Sequence, residues 1–239
     1  MTAAVAILEL NRVSAGPLSR VSLVVHPGQM VGVVGPVGSG RTTLAGVIAG
    51  VVVPSVGRVL LDGVDVTEVD PASRARFGVG WVRQRPRPFP TLSVAENVLV
   101  AASASARWGG REAFVRTRRL LERAGLAELA DLPAWQLTPE QLARLEVLRV
   151  LAAPRRLIVV DELSPDLAAS DRAELVAALA NTAQQGGAVV WLGAPGGLDV
   201  DVERLTLLVG GRVVVEGPAA EVAATAEFRL LRNRELAVR

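Results

Sequence analysis

Cysteine, lysine and tyrosine are absent from the 239 residues, and histidine occurs once, at His26. Without cysteine there are no disulfides and no thiol chemistry. Without lysine every basic side chain is arginine, so almost nothing titrates between neutrality and the arginine pKa. A net charge of only +2 therefore gives a sequence pI of 10.6, which is no footprint for nucleic acid. Four Phe and four Trp leave few platforms for stacked bases, and no nucleic-acid partner is expected. No apolar run approaches the ~20 residues that span a bilayer. Met1 to Leu10 has no basic region ahead of its apolar residues, so no signal peptide is expected. A cytoplasmic protein is the default. What the chain has in excess is apolar: half of it is hydrophobic, enough for a full core in one large or two small domains.

The most informative stretch is Gly35-Pro36-Val37-Gly38-Ser39-Gly40-Arg41-Thr42-Thr43. An apolar run, Met30 to Val34, leads in, and an apolar helical pattern, Leu44 to Ile48, leads out. Strand, glycine-rich loop and helix make the layout of a P-loop, G-x-x-x-x-G-K-[ST], met everywhere but at Arg41, which stands for lysine. Glycines let consecutive backbone N–H groups curl around phosphate oxygens, and the new helix aims its positive end at them. The cation would reach the outer phosphates, and the Thr42 hydroxyl is placed for Mg²⁺. A strand-to-helix turn that needs glycines only for packing would look similar, but without a reason for this full spacing. Arginine keeps the charge yet is longer and forked, so the exchange alters how the outermost phosphate is positioned.

Elsewhere, Val5 to Leu10 and Val21 to Val25 read as short strands, followed by the turn His26-Pro27-Gly28, in which His26 is a turn residue. Gly57 to Leu61 is a strand entering Asp62-Gly63, Pro71 to Arg76 a short helix, and Phe77 to Val82 a strand. Two prolines in Arg83 to Pro88 bar a regular helix there. From Ser93 to Leu151 the pattern is helical. Ser93 and Glu96 form a helix-start pair, Arg111 to Ala124 is amphipathic with a solvated arginine face, and Thr138 to Val150 is a third helix. Strands return at Leu157 to Val160, ended by Asp161-Glu162, and at Ala188 to Leu192, with a helix at Asp171 to Gln185 between them. Leu205 to Val209 and Arg212 to Glu216 form a hairpin, and Glu221 to Leu236 a closing helix. The alternation implies an α/β fold with a mainly parallel sheet covered on both faces.

With these motifs in hand, the chain resembles the ATP-binding subunits of ABC transporters over nearly its whole length, and most of all the branched-chain amino acid importer subfamily. Gln84 occupies the position of the family's glutamine loop, and Arg85 to Val98 is similar to the segment beyond that loop. Leu157 to Glu162 matches its second acidic motif, and Gly210 to Val222 its terminal hairpin and helix. The resemblance implies a P-loop NTPase fold with a small antiparallel β part and an inserted helical subdomain. Residues 1–239 would be one ATP-binding domain, with 1–88 and 152–239 as the nucleotide-binding core and 89–151 as the helical subdomain. It implies ATP and Mg²⁺, with Gly35 to Thr43 on the phosphates and Thr42, Gln84 and Asp161 at the metal. Glu162 would polarise the attacking water, and desolvation at the sheet edge would suit it to act as a base. It also implies transmembrane permease subunits, a second ATP-binding subunit, and a place on the inner face of the cell membrane through them.

The chain departs from that family at defined points. The signature, typically Leu-Ser-Gly-Gly-Gln, aligns with Leu137-Thr138-Pro139-Glu140-Gln141, which reads as a self-sufficient helix start: Thr138 as cap, Pro139 at the first helical position, Gln141 completing a capping box. Glu140 places a carboxylate where a phosphate should go, unless it simply faces solvent. Ala194 falls where the family has its switch histidine. The loop after Ser164, Pro165-Asp166-Leu167, is looser than the family pattern. No aromatic lies near Asn11 to Ser19, where the family often stacks adenine, and Arg12 is the substitute to consider. Slow hydrolysis at best is expected, the alternative being a non-hydrolysing adaptor or regulatory subunit.

Overall fold

β1 (Leu8–Ala15) and β2 (Leu18–Val25) open the chain as an antiparallel hairpin. The computed structural model describes residues 5–104, 110–164, 167–197 and 200–236. β1 runs on well past the expected Leu10, and β2 begins before Val21. The physical reason is a pair of bulges. Arg12 (φ 50°) and Arg20 (φ 51°) take left-handed backbone, which breaks the apolar alternation while the ladder continues. Leu8 and Leu10 face inward before the bulge, Val13 and Ala15 after it.

β3 (Met30–Val34), α1 (Arg41–Ala49) and β4 (Val56–Leu61) come next, with a two-residue β5 (Val64–Asp65) that sequence reading does not find. Then come α2 (Pro71–Arg76), capped by Asp70, and β6 (Val79–Arg83). α3 (Val94–Ser103), α4 (Gly110–Arg123) and α5 (Pro139–Leu151) form the helical block. The capping boxes Ser93–Glu96 and Thr138–Gln141 are both present. β7 (Leu157–Asp161), α6 (Ala169–Gln184), β8 (Ala188–Gly193), β9 (Arg204–Val209) and β10 (Arg212–Pro218) complete the sheet. The closing helix is two, α7 (Ala219–Ala224) and α8 (Ala226–Leu236). Thr225 breaks it: its backbone is extended (ψ 153°), its hydroxyl donates to Val222 O at 2.7 Å and accepts from Phe228 N–H at 3.3 Å, starting the second helix.

β2-β1-β4-β5 form an antiparallel sheet, and β10-β9-β3-β8-β7-β6 a six-stranded sheet that is parallel except for its β9–β10 pair. Successive residues of its central strands face opposite cores. Leu157 and Val159 pack with α1 and the antiparallel sheet, whereas Ile158 and Val160 pack with α5 and α6. Two-sided burial explains why these strands read as continuous apolar runs. α3, α4 and α5 enclose a hydrophobic cluster of their own around Val98, Leu121 and Leu145.

α1 is fixed from behind by one side chain. Arg74 is fully buried, and its guanidinium donates to Val47 O, Ile48 O, Val66 O, Thr67 O and Val69 O at 2.5–3.1 Å. Two of these carbonyls belong to the last turn of α1, where carbonyls have no partner within the helix. A planar five-donor group suits that task.

Candidate functional site

Parallel strands all end on one edge, so the loops after β3, β6, β7 and β8 meet there. After β3 the chain turns tightly. A Cβ on Gly35 would lie 2.1 Å from Leu208 O and 2.6 Å from the Ser39 hydroxyl, so only glycine fits. Gly40, the residue before α1, is left-handed (φ 100°) and brings no side-chain cap, which leaves the first N–H groups of the helix free. Gly38 is also left-handed (φ 81°), and a Cβ there would meet nothing within 4 Å, because the loop opens onto a cleft of about 900 Å³. The Ser39 hydroxyl is buried and lacks a hydrogen-bond partner among the described residues.

Across the cleft, β7 delivers the two carboxylates. The Thr42 hydroxyl donates to Asp161 Oδ1 at 3.3 Å. Asp161 is 7 % exposed, and burial raises its carboxyl above the ordinary value, opposed by the Thr42 hydrogen bond and by the charge of Arg41. Glu162 comes next in left-handed backbone (φ 61°), a strained conformation for a non-glycine, with its N–H donating to Leu192 O at 3.0 Å. The Glu162 side chain is 27 % exposed. Two groups converge on Glu162 Oε2: the Arg41 guanidinium at 3.5 Å and the Gln84 amide, also at 3.5 Å. Arg41, in the lysine's place, therefore rests against the carboxylate expected to serve as base. Gln84 lines the cleft but bonds Glu162, not the Thr42–Asp161 pair.

Leu137 to Gln141 lie elsewhere on the chain, outside the cleft lining. Leu137 is buried in the helical block. Thr138 accepts from Gln141 N–H at 3.3 Å and Gln141 Oε1 accepts from Thr138 N–H at 2.9 Å, while Pro139 has no N–H to offer. Glu140 does not simply face solvent. Arg144 holds it at 2.6 Å and at the same time grips Asp171 of α6 at 2.5 Å. Ala194 lines the cleft. Arg12 does not: it is exposed on the β1 bulge, and so it does not replace a base-stacking aromatic. Pro165 and Asp166 fall outside the described residues. Sequence reading missed Pro17, Val209, Leu231 and Arg234, which line the same cleft and come together only through the fold.

These features fit a polyphosphate with a divalent cation. Free helix N–H groups, an orphaned buried hydroxyl and a glycine facing open space make a phosphate cradle. Among the described residues no cluster of three or more His, Cys, Asp or Glu could hold a metal by itself. Thr42 and Asp161 would supply the one or two protein oxygens that Mg²⁺ takes, its shell completed by phosphate oxygens and water. The family model for the ABC transporter matches residues 18–164, from β2 through both carboxylates. The chain belongs to the ABC transporter family, as an ATP-binding domain.

Among curated relatives of this ABC transporter domain, a putative ribose/galactose/methyl galactoside import ATP-binding protein of Agrobacterium fabrum is 30% identical over 99% of the chain and 49% of its own length. The methionine import ATP-binding protein MetN of Caulobacter vibrioides is 34% identical over 86% of the chain and 63% of its own length. The chain thus spans under two thirds of each. Among solved structures, a dimeric ATP-binding cassette in a post-hydrolysis state bound to ADP and Pi superposes with a TM-score of 0.79 at 24% identity, covering 88% of this chain and 98% of that one. Its likeness shows the ABC ATPase fold. No helix among the described residues is long and apolar enough to cross a membrane.

Proposed function

We propose that this chain is the ATP-binding subunit of an ABC transporter, acting with transmembrane permease subunits and a second ATP-binding subunit on the cytoplasmic face of the cell membrane. The observation that carries the reading is the uncapped start of α1, set against the Thr42–Asp161 pair at 3.3 Å. In this reading the amides of Gly35 to Thr43 bind the phosphates of ATP, and Thr42 and Asp161 hold Mg²⁺, with Gln84 as a candidate outer ligand. Bound Mg²⁺ neutralises charge on the phosphate oxygens. Glu162 accepts a proton from water as that water attacks the γ-phosphorus and the bond to the β–γ bridging oxygen breaks, giving ADP and phosphate. The dimeric neighbour and the relatives' names support a paired subunit that serves a transporter.

Hydrolysis is slow in this proposal, for three reasons. Arg41 lies on the base, Ala194 offers no hydrogen bond to the γ-phosphate or water, and Glu140, tied to Arg144, sits where a partner's nucleotide would meet the start of α5. Residues 1–239 are taken as one domain, with 89–151 as its helical subdomain. The separate cluster inside α3–α5 supports that division. The segments Arg85 to Val98 and Gly210 to Val222 support a place near the branched-chain amino acid importers. The Arg41–Glu162 contact also favours a second reading, a nucleotide-responsive adaptor that does not hydrolyse. Titration with a fluorescent ATP analogue and turnover of the wild type, Arg41→Lys and Glu162→Gln separate these. The proposal expects binding in all three, more turnover in Arg41→Lys and none in Glu162→Gln. Binding without any turnover in wild type or Arg41→Lys selects the adaptor, and no binding rejects both.

A further inference from the structure

We propose that Leu231 and Arg234 of α8, together with Pro17 and Val209, form the subsite for the base of the nucleotide, with the Arg234 guanidinium stacked on the ring. The inference rests on the reading of the glycine loop as a phosphate cradle. Loop amides, Gln84 and Glu162 make one end of the cleft polar. Pro17, Val209 and Leu231 supply its apolar wall, and among the described residues no aromatic lines it.

That wall is built and held. Ser19 N–H donates to Gly211 O at 2.8 Å, and Gly211 (φ 76°) comes so close that a Cβ would lie 1.7 Å from Pro17 O. The β1–β2 turn is thereby locked against the β9–β10 turn, and Pro17 is fixed beside Val209. α8 is anchored by Phe228, which is buried with Val34, Leu205 and Leu207, and by Leu231, packed on the same cluster. Arg234 lies three residues beyond Leu231, so it shares that face one turn further on. It lines the cleft and makes no hydrogen bond or ion pair among the described residues. Glu162, on the cleft's other side, already has Arg41. A planar cation beside an apolar slot, adjoining a phosphate cradle, matches the flat face of a base better than another phosphate. The wall presents no side-chain hydrogen-bond acceptor to read the base edge, so the class is nucleoside triphosphates and not adenine alone.

The test is titration calorimetry of the full chain with Mg²⁺ and, in turn, ATP, GTP and inorganic tripolyphosphate, for wild type, Arg234→Ala and Arg234→Lys, with melting curves to confirm folding. Wild type is expected to bind both nucleotides similarly and about tenfold more tightly than tripolyphosphate. Arg234→Ala is expected to remove most of that preference while tripolyphosphate affinity stays unchanged. Arg234→Lys, which keeps the charge without the plane, is expected to recover little of it. Equal loss for tripolyphosphate would make Arg234 a phosphate ligand and overturn the proposal, as would unchanged ATP affinity or full rescue by lysine. If wild type binds tripolyphosphate but shows no preference for nucleotides, the base subsite alone is wrong. If wild type binds none of the three, the phosphate reading fails and the subsite falls with it.

Discussion

Two helix starts in this molecule solve the same problem in opposite ways. At α1 the preceding residue is Gly40, with no side-chain cap, and the neighbouring Ser39 hydroxyl is buried without a partner. At α5 the Thr138–Gln141 box closes on itself, Pro139 removes a donor, and Glu140 is clamped by Arg144. Unpaired donors at a helix start carry a free-energy cost unless something outside the chain meets them. At α1 those donors are left to solvent or a ligand, whereas at α5 the Gln141 N–H is met by Thr138 and Pro139 has none to offer. The difference indicates that α1 is shaped for a ligand and α5 for its own stability.

The comparison breaks hardest at Arg74. Arg74 holds the far end of α1 through Val47 O and Ile48 O. Arg74→Met leaves buried carbonyls without donors, and a loss of about 3–5 kcal/mol in chemical unfolding is expected. A loss below about 1 kcal/mol would show that α1 does not depend on this anchor. Thr138→Ala probes the other helix start: about 1 kcal/mol of stability should go, with ATP affinity of the isolated chain unchanged. A matching drop in ATP affinity would mean that the two starts are not separate in role.

Asp161 sharpens the comparison through pH. Its folded pKa lies above the ordinary 3.8 because of burial. A raised carboxyl contributes stability that is fully present below the unfolded value and is lost as pH rises through the folded one, so at neutral pH the ionised group opposes folding. Asp161→Asn is therefore expected to melt slightly higher than wild type at pH 7 without nucleotide, and to converge with it as pH falls toward 3.8. With Mg-ATP the order should reverse if Asp161 holds Mg²⁺ as proposed. A variant that melts lower at pH 7 without nucleotide would contradict the burial argument.

Much of this was legible in the sequence because the governing patterns are local. Met30–Val34 and its glycine loop, the short helix opening at Pro71, and the Ser93 and Thr138 boxes all carry their signal within a few residues. The bulges at Arg12 and Arg20 were hidden, because arginine gives no hint of left-handed backbone. The break at Thr225 was hidden because its capping depends on one hydroxyl within an otherwise helical pattern. The chemistry of Arg41 could be named from the motif, but not its contact with Glu162, which joins positions that only strand order brings together. Pro17, Val209, Leu231 and Arg234 have no shared spacing at all. Their common cleft arises from two turns locking and one helix lying across β9 and β3.

The central claim is that the amides at the start of α1 are reserved for phosphate and those of α5 are not. Amide chemical shifts of ¹⁵N-labelled protein, tracked as Mg-ATP is added, test it residue by residue. The account predicts large, saturable shifts for Gly38, Ser39, Gly40, Arg41 and Thr42, with Thr138, Glu140 and Gln141 unmoved in the isolated chain. Shifts at the start of α5 with none at the start of α1, or no saturable shift at either, would contradict it.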